Sequence, residues 1–185
     1  MLKSYLSDKN ISIRKLSKDT GIAYSTMYDI VMQKTPIEKC ESRHLYSIAK
    51  CLSLTMEQIY EMGRKYSHQE FELFKSEECH KMKTYGSKKY LIRLLQSNEI
   101  TDNWEIGRKE QSLYLLSMAD YLSRIYGVAR CNKFSHLRDK KMDPIIYPLS
   151  MMIRRDVSGY EPDLSHAIPE FLEHGIVEGE IFNVW

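Results

Sequence analysis

The chain of 185 residues is long enough for one large domain or two small ones. A hydrophobic content of 43% beside 28% charged residues is typical of a globular protein and excludes a disordered chain. No run of about eighteen apolar residues occurs, so we expect no membrane-spanning helix. The first residues mix charged and apolar side chains, which is unlike a secretory signal, and the sequence therefore predicts a cytoplasmic protein.

Charge is distributed unevenly along the chain. Residues 1–66 contain 11 Lys and Arg against 7 Asp and Glu, a net charge of +4, whereas the remainder contains 16 against 18, a net charge of −2. A basic first part favours contact with phosphate there, and a slightly acidic second part does not. The difference in net charge is modest. It favours the first part as the one that contacts phosphate and does not by itself identify the partner.

The sequence offers no pattern typical of a metal site, a cofactor site or an active site. Cys40, Cys51, Cys79 and Cys131 form no CxxC pair, so we expect free buried thiols and no bound metal. There is no Ser-His-Asp order, no HExxH spacing and no glycine-rich phosphate loop. We therefore predict a protein that is not an enzyme and carries no cofactor.

The first sixty residues predict five short helices, of which the second and third are the most sharply defined. Leu2 and Leu6 give the apolar face of the first helix. Ser12 is a suitable N-cap for a second helix that ends at Thr20. Gly21 then supplies the positive φ of a tight turn, and a third helix is predicted over 24–32.

Pro36 excludes a continuous helix after the third, and two further helices follow it. The fourth has Leu45 and Ile48 on its apolar face, and Thr55 caps a fifth that carries Ile59. We place this domain at residues 1–62. Gly63 and a local loss of apolar residues predict a linker over 63–69.

Residues 70–185 predict a second domain that is also mostly helical. Helices are expected over 70–85, around 113–125 and around 168–174, with prolines and glycines breaking the stretch between the last two. The tail over 176–184 alternates apolar and polar residues, which is typical of a strand. We expect a mainly α protein with a possible short terminal strand that pairs locally or with a second subunit.

One segment resembles a known family. The stretch SIRKLSKDTGIAYSTMYDIVMQK, followed by LYSIAKCLSLTMEQIYEM, resembles the Cro/phage-repressor (XRE) class of helix-turn-helix domains. The resemblance covers about residues 2–61, a third of the chain, and rests on the spacing of some sixty residues. It implies a domain of five helices whose third helix enters the major groove of duplex DNA.

The resemblance also implies which residues face DNA. The base-facing and groove-facing positions of the third helix are Tyr24, Ser25, Tyr28 and Asp29. Thr26 is expected to touch phosphate or sugar, and the remaining phosphate contacts are expected at Lys34, Lys39, Arg43 and His44. The alternatives are that Tyr24 and Tyr28 are ordinary surface aromatics and that Asp29 pairs with a neighbouring Lys or Arg and orients it.

The sequence departs from the family pattern at two points, and each limits the DNA contacts that the resemblance implies. The family often places a glutamine near the start of the second helix for a phosphate contact, and Ile13 occupies that position here. The third helix contains no Arg or Lys, so each monomer is expected to bind modestly. Affinity would then require a homodimer that reads two half-sites about one helical turn apart.

The sequence therefore predicts a sequence-specific, double-stranded DNA-binding transcription regulator, in the first instance a dimeric repressor. The second domain is expected to dimerise, to sense, or to bind a protein partner. Two alternatives keep the DNA-binding domain. One is an antitoxin that neutralises a toxin through the second domain and represses its own operon, and the other is a phage inhibitor of bacterial defence nucleases of the anti-CRISPR kind.

Overall fold

The computed structural model describes residues 2–64, 67–159 and 163–182, without the side chains of Ser4 and Ser158. Regular structure within these ranges is helical, and the β pairing there is confined to one isolated parallel bridge. None of the helices in the described ranges is long and apolar enough to cross a membrane. The predicted mainly α fold is confirmed.

The chain divides into two compact units, which we call the N-terminal unit (Met1–Lys65 with Glu105–Arg108) and the C-terminal unit (Tyr66–Trp104 with Lys109–Trp185). The first segment of the N-terminal unit holds helices α1 Leu2–Asp8, α2 Ile13–Thr20, α3 Tyr24–Val31, α4 Ser42–Leu52 and α5 Met56–Gly63, with a 3₁₀ turn at Ile37–Lys39. The remaining helices are α6 His68–Tyr85, α7 Ser87–Gln96, α8 Glu99–Glu105, α9 Lys109–Ile125, α10 Ser135–Arg138, α11 Leu149–Ser158 and α12 Pro169–Glu173.

Side-chain caps mark the starts of α2 and α5 in the N-terminal unit. The side chain of Ser12 accepts a hydrogen bond from the backbone N–H of Lys15 at 3.1 Å. Thr55 and Gln58 form a reciprocal capping box at the start of α5. These caps satisfy N–H groups that have no partner inside their own helices, so the helices begin where the sequence predicts.

The core of the N-terminal unit collects the apolar face of each of its helices. Leu16 of α2, Met27 of α3, Ile48 of α4 and Ile59 of α5 are completely buried in one cluster. Burying a side chain of this size contributes about 1.5–3 kcal/mol, so the cluster fixes α2 and α3 against α4 and α5. The predicted inward positions of Ile48 in α4 and Ile59 in α5 are confirmed.

The C-terminal unit is built around α9. Residues 111–120 are buried without interruption, and α9 packs against α6, α7 and α12. Tyr114 of α9 contacts Phe171 of α12 edge-on, with ring centroids 5.0 Å apart, and Phe71 of α6 at 5.9 Å. Because α9 is covered on all sides, its amphipathic pattern is weaker than that of a surface helix.

Several charged groups lie inside the C-terminal unit and are paired there. Lys75 is buried and places its Nζ 2.9 Å from Glu178 and 3.1 Å from Glu72. Glu78 is fully buried and accepts a hydrogen bond from the Tyr90 hydroxyl at 2.6 Å. Burial, together with the neighbouring Glu78 carboxylate, raises the pKa of Tyr90 far above its ordinary value, so the hydroxyl stays a donor.

The predicted terminal strand reduces to a single bridge between Ile146 and Ile176. The N–H of Val177 donates to the carbonyl of Ile146 at 2.9 Å, but the carbonyl of Glu178 accepts from the N–H of Ile168 at 2.7 Å instead. The tail therefore pairs with two segments in succession and forms no ladder in its described part. Residues 183 and 184 of the predicted strand lie outside the described residues.

The expectation of buried thiols is wrong for most of the four cysteines. Cys79 is buried, Cys40 and Cys131 are partly exposed, and Cys51 is exposed. All four are free thiols. Cys51 lies on the outer face of α4, where the apolar spacing that buries Ile48 and Ala49 does not reach it.

Candidate nucleic-acid interface

A rigid turn joins α2 to α3. Gly21 ends α2 with φ 72° and ψ 7°, a left-handed conformation that favours glycine. On either side of it, the Thr20 hydroxyl donates to the carbonyl of Leu16 at 2.7 Å and the Ser17 hydroxyl donates to the carbonyl of Ile22 at 2.6 Å. These bonds satisfy the carbonyl of Leu16 in α2 and the carbonyl of Ile22 in the turn, and they tie the turn to α2.

The outward face of α3 carries the four residues predicted to face bases. Met27, Ile30 and Val31 point into the core. Tyr24 is 53% exposed and Ser25 is exposed, while Tyr28 and Asp29 are partly exposed. Positions 24, 25, 28 and 29 are one turn apart in pairs, so the helix brings their side chains to a single face.

The N-terminal end of α3 is open. Ala23 occupies the N-cap position and makes no side-chain cap, so the first N–H groups of α3 have no side-chain acceptor. Thr26, in the first turn, is partly exposed. A phosphate is a suitable partner for this end of a helix, because uncapped N–H groups and the helix dipole both favour an anion.

Lys34 lies against the same face, although it follows the helix. Its ammonium is 4.9 Å from the ring centroid of Tyr28. The backbone N–H groups of Lys34 and Thr35 both donate to the carbonyl of Asp29, at 2.8 and 3.2 Å. This tight connection turns the chain back, so that Lys34 lies beside α3, a helix that contains no Lys or Arg of its own.

The carboxylate of Asp29 forms no ion pair within the described residues, so the alternative that it orients a neighbouring cation has no contact to support it. An unpaired carboxylate on this face can accept a hydrogen bond from a cytosine amino group and repels phosphate.

The other predicted phosphate contacts lie on a separate segment. Lys39 ends the 3₁₀ turn and is exposed, and Arg43 and His44 lie in the first turn of α4. Arg43 Nε is 2.5 Å from Glu41 Oε2, with both side chains more than half exposed. Because Glu41 neutralises Arg43, this segment offers less positive charge than its sequence indicates.

A groove between α2 and α3 adds residues that the sequence interpretation did not place at the site. Arg14, Ser17 and Lys18 of α2 and Tyr24 of α3 line it together. The sequence pattern predicts a solvated helix face for Arg14, with contact to the DNA backbone as the alternative. The i, i+4 spacing of Arg14 and Lys18 is the available signal, since it puts both cations on one side of α2.

Comparison with known protein families decides what this arrangement is. Residues 1–63 match a family model described as a Cro/C1-type HTH DNA-binding domain. The N-terminal third of the chain is a Cro/C1-type helix-turn-helix domain. Neither the curated proteins nor the solved structures contain a significant match to the chain.

The Cro/C1-type domain supports a DNA-binding regulator. In such a domain α3 is the recognition helix and α2 braces it. The structure supplies the parts that this role needs, namely a fixed turn at Gly21, a polar outward face on α3, and flanking cations at Lys34, Arg14 and Lys18.

Proposed function

We propose that the protein binds double-stranded DNA in a sequence-specific manner and represses transcription as a homodimer. The Cro/C1-type domain at residues 1–63 carries this proposal. Its α3 enters the major groove, where Tyr24, Ser25, Tyr28 and Asp29 contact base edges. The dimer blocks polymerase at the operator and therefore acts in the cytoplasm. It acts by binding DNA and not by catalysis.

Phosphate contacts position the domain on the duplex. We assign these contacts to Lys34 beside Tyr28, to Arg14 and Lys18 along the α2–α3 groove, and to Thr26 at the open end of α3. The segment before α4 supplies the remaining contacts, from Lys39, Arg43 and His44. Electrostatic attraction to the phosphates gives most of the affinity and a steep dependence on salt.

Dimerisation follows from the chemistry of α3. A recognition helix without Arg or Lys lacks the bidentate contacts to guanine that contribute about 1–3 kcal/mol each, so one copy binds weakly. The C-terminal unit supports self-association, because Leu149, Ile153 and Val157 of α11 are 44%, 54% and 81% exposed at i, i+4 and i+8. We expect Ile153→Glu to give a monomer in size-exclusion chromatography with light scattering, and a monomeric wild type would contradict the dimer.

Selection of bound sequences from a random duplex pool tests the function directly. A palindromic consensus is expected, with half-site centres about 34–36 Å apart.

Fluorescence anisotropy with the selected duplex then compares the DNA affinity of variants. Tyr28→Ala with Lys34→Ala should remain folded by circular dichroism and lose binding. Lys88→Ala with Lys89→Ala, two exposed lysines of α7, is the charge control and should bind as the wild type does. No enrichment from the pool would overturn the proposal.

An antitoxin is the second candidate. It is favoured by the net charge of −2 on residues 67–185, since a slightly acidic part suits a partner other than DNA. It predicts an adjacent toxin gene and a complex in which the C-terminal unit is bound by the toxin. The anti-defence alternative predicts instead that a bacterial nuclease co-purifies with the protein, and a protein that purifies alone from its native host excludes both.

A further inference from the structure

The outward face of α3 is aromatic where recognition helices commonly present cations or amides. Tyr24 and Tyr28 are one turn apart, with ring centroids separated by 6.1 Å and planes tilted by 34°. More than half of Tyr24 is exposed although it is a large side chain. The two rings form a short aromatic strip on this face, and such a strip is suited to an apolar partner.

Each ring has a cation beside it. The ammonium of Lys34 lies 4.9 Å from the centroid of the Tyr28 ring and so covers one of its faces. Tyr24 lines the α2–α3 groove together with Arg14 and Lys18. The two rings are therefore flanked by positive charge, with Lys34 beside one and the cations of α2 beside the other. Phosphates bound by the cations on the two flanks would hold the aromatic strip against the base edges that lie between those phosphates.

The major groove presents one apolar group at its base edges, the C5 methyl of thymine. Successive base pairs rise about 3.4 Å along the helix axis. Because they also rotate about that axis, by one turn in about 10–10.5 base pairs, two methyls lie farther apart than the rise alone gives. A separation of 6.1 Å between ring centroids therefore suits two thymine methyls that are one or two base steps apart.

We propose that Tyr24 and Tyr28 recognise the C5 methyl groups of two thymines in each half-site, one or two base steps apart. This inference rests on the proposed function. It assigns the preference for thymine at these two positions to van der Waals contact by the two rings, with Arg14, Lys18 and Lys34 holding the backbone without choosing the sequence.

Deoxyuridine substitution tests the inference, because replacing thymine by uracil removes the methyl and nothing else. In the duplex selected from the random pool, each half-site thymine is replaced in turn and Kd is measured by fluorescence anisotropy at fixed salt. Two positions in each half-site should weaken binding about four-fold per methyl, which corresponds to burying one methyl-sized group. Kd that is unchanged at every position overturns the inference.

Variants identify the ring that reads each methyl. With Tyr24→Ala, the cost of uracil should vanish at one of the two positions and persist at the other, as a double-mutant cycle reveals. Tyr24→Phe and Tyr28→Phe should keep the full methyl effect, since the ring and not the hydroxyl makes the contact. Loss of binding in the phenylalanine variants would instead assign the hydroxyls to phosphate and overturn the inference.

Tyr85 provides a matched control. It is 54% exposed at the end of α6 in the C-terminal unit, so Tyr85→Ala should leave both Kd and the methyl effect unchanged. A methyl effect that survives in Tyr24→Ala and Tyr28→Ala alike also overturns the inference. Failure of the pool to yield any bound duplex is a different result, because it overturns the proposed function itself.

Discussion

Replacing Gly21 by alanine should destabilise the helix-turn-helix through backbone conformation alone. Gly21 has φ 72°, and a Cβ built at this position meets no atom within 4 Å. No steric overlap with neighbours therefore contributes. The left-handed conformation costs an L-residue about 1–2 kcal/mol. Alanine also restricts the unfolded chain, which returns about 0.4–1 kcal/mol, and we expect a net loss near 1 kcal/mol.

Two matched variants separate backbone conformation from packing. Gly21→Asn should cost less than Gly21→Ala, since asparagine adopts the left-handed conformation more readily. Gly63→Ala probes packing instead, because its Cβ would lie 2.7 Å from Ile37 Cδ1 in a helix with ordinary φ. Overpacking of this kind costs about 1–3 kcal/mol, so Gly63→Ala should be destabilising. Gly63→Asn should be no more stable than Gly63→Ala, because asparagine relieves a left-handed backbone and not a steric overlap.

Urea unfolding of the full chain provides the measurement, followed through the backbone amide signal of the buried residue Met27 by NMR. This signal reports the stability of the N-terminal unit separately from the other unit. Wild-type stability in Gly21→Ala, or an asparagine variant less stable than the alanine one, would refute the argument that the turn requires a left-handed residue.

The remaining predictions concern the C-terminal unit. Lys75→Met should destabilise it by about 3–5 kcal/mol in urea unfolding, because Glu178 then stays buried without its cation. Adding Glu178→Gln should recover part of that loss, and a double variant no more stable than the single one would contradict the pairing. Acid should also weaken this unit through Glu170. Burial raises its pKa, but the hydrogen bonds from Arg124, the bond from its own backbone N–H and the charges of Arg124 and Arg130 together outweigh burial and hold the pKa below its ordinary value. Such a carboxylate stabilises the fold above the unfolded pKa of about 4.3, and the contribution is lost as pH falls through the lower folded value. Glu170→Gln should therefore flatten the fall in melting temperature below about pH 4, and an unchanged profile would exclude this role.

Features set by neighbouring residues in the chain were the predictable ones. The cap at Ser12, the left-handed turn at Gly21 and the cap at Thr55 each depend on a few adjacent positions, and the structure confirms all three. The outward placement of Tyr24 and Tyr28 was predictable for the same reason, since helical spacing fixes which residues share a face.

Features that depend on how helices pack were not predictable. The groove lined by Arg14, Lys18 and Tyr24 exists because of the angle between α2 and α3, which no single helix pattern contains. Helix α11 was missed because Pro148 suggests a break, whereas it precedes the first residue of that helix. Its exposed apolar residues also give no inward face of the kind that sequence patterns detect.

The salt dependence of DNA binding tests the central claim most directly. Anisotropy titrations of the selected duplex at several salt concentrations give the slope of log K against log salt. Wild type should show a steep linear fall, and Lys34→Ala should reduce the slope by about 1 in a monomer and about 2 in a dimer, with Lys89→Ala leaving it unchanged. Binding that does not depend on salt, or equal slopes for the two variants, would contradict a DNA interface on the α3 face.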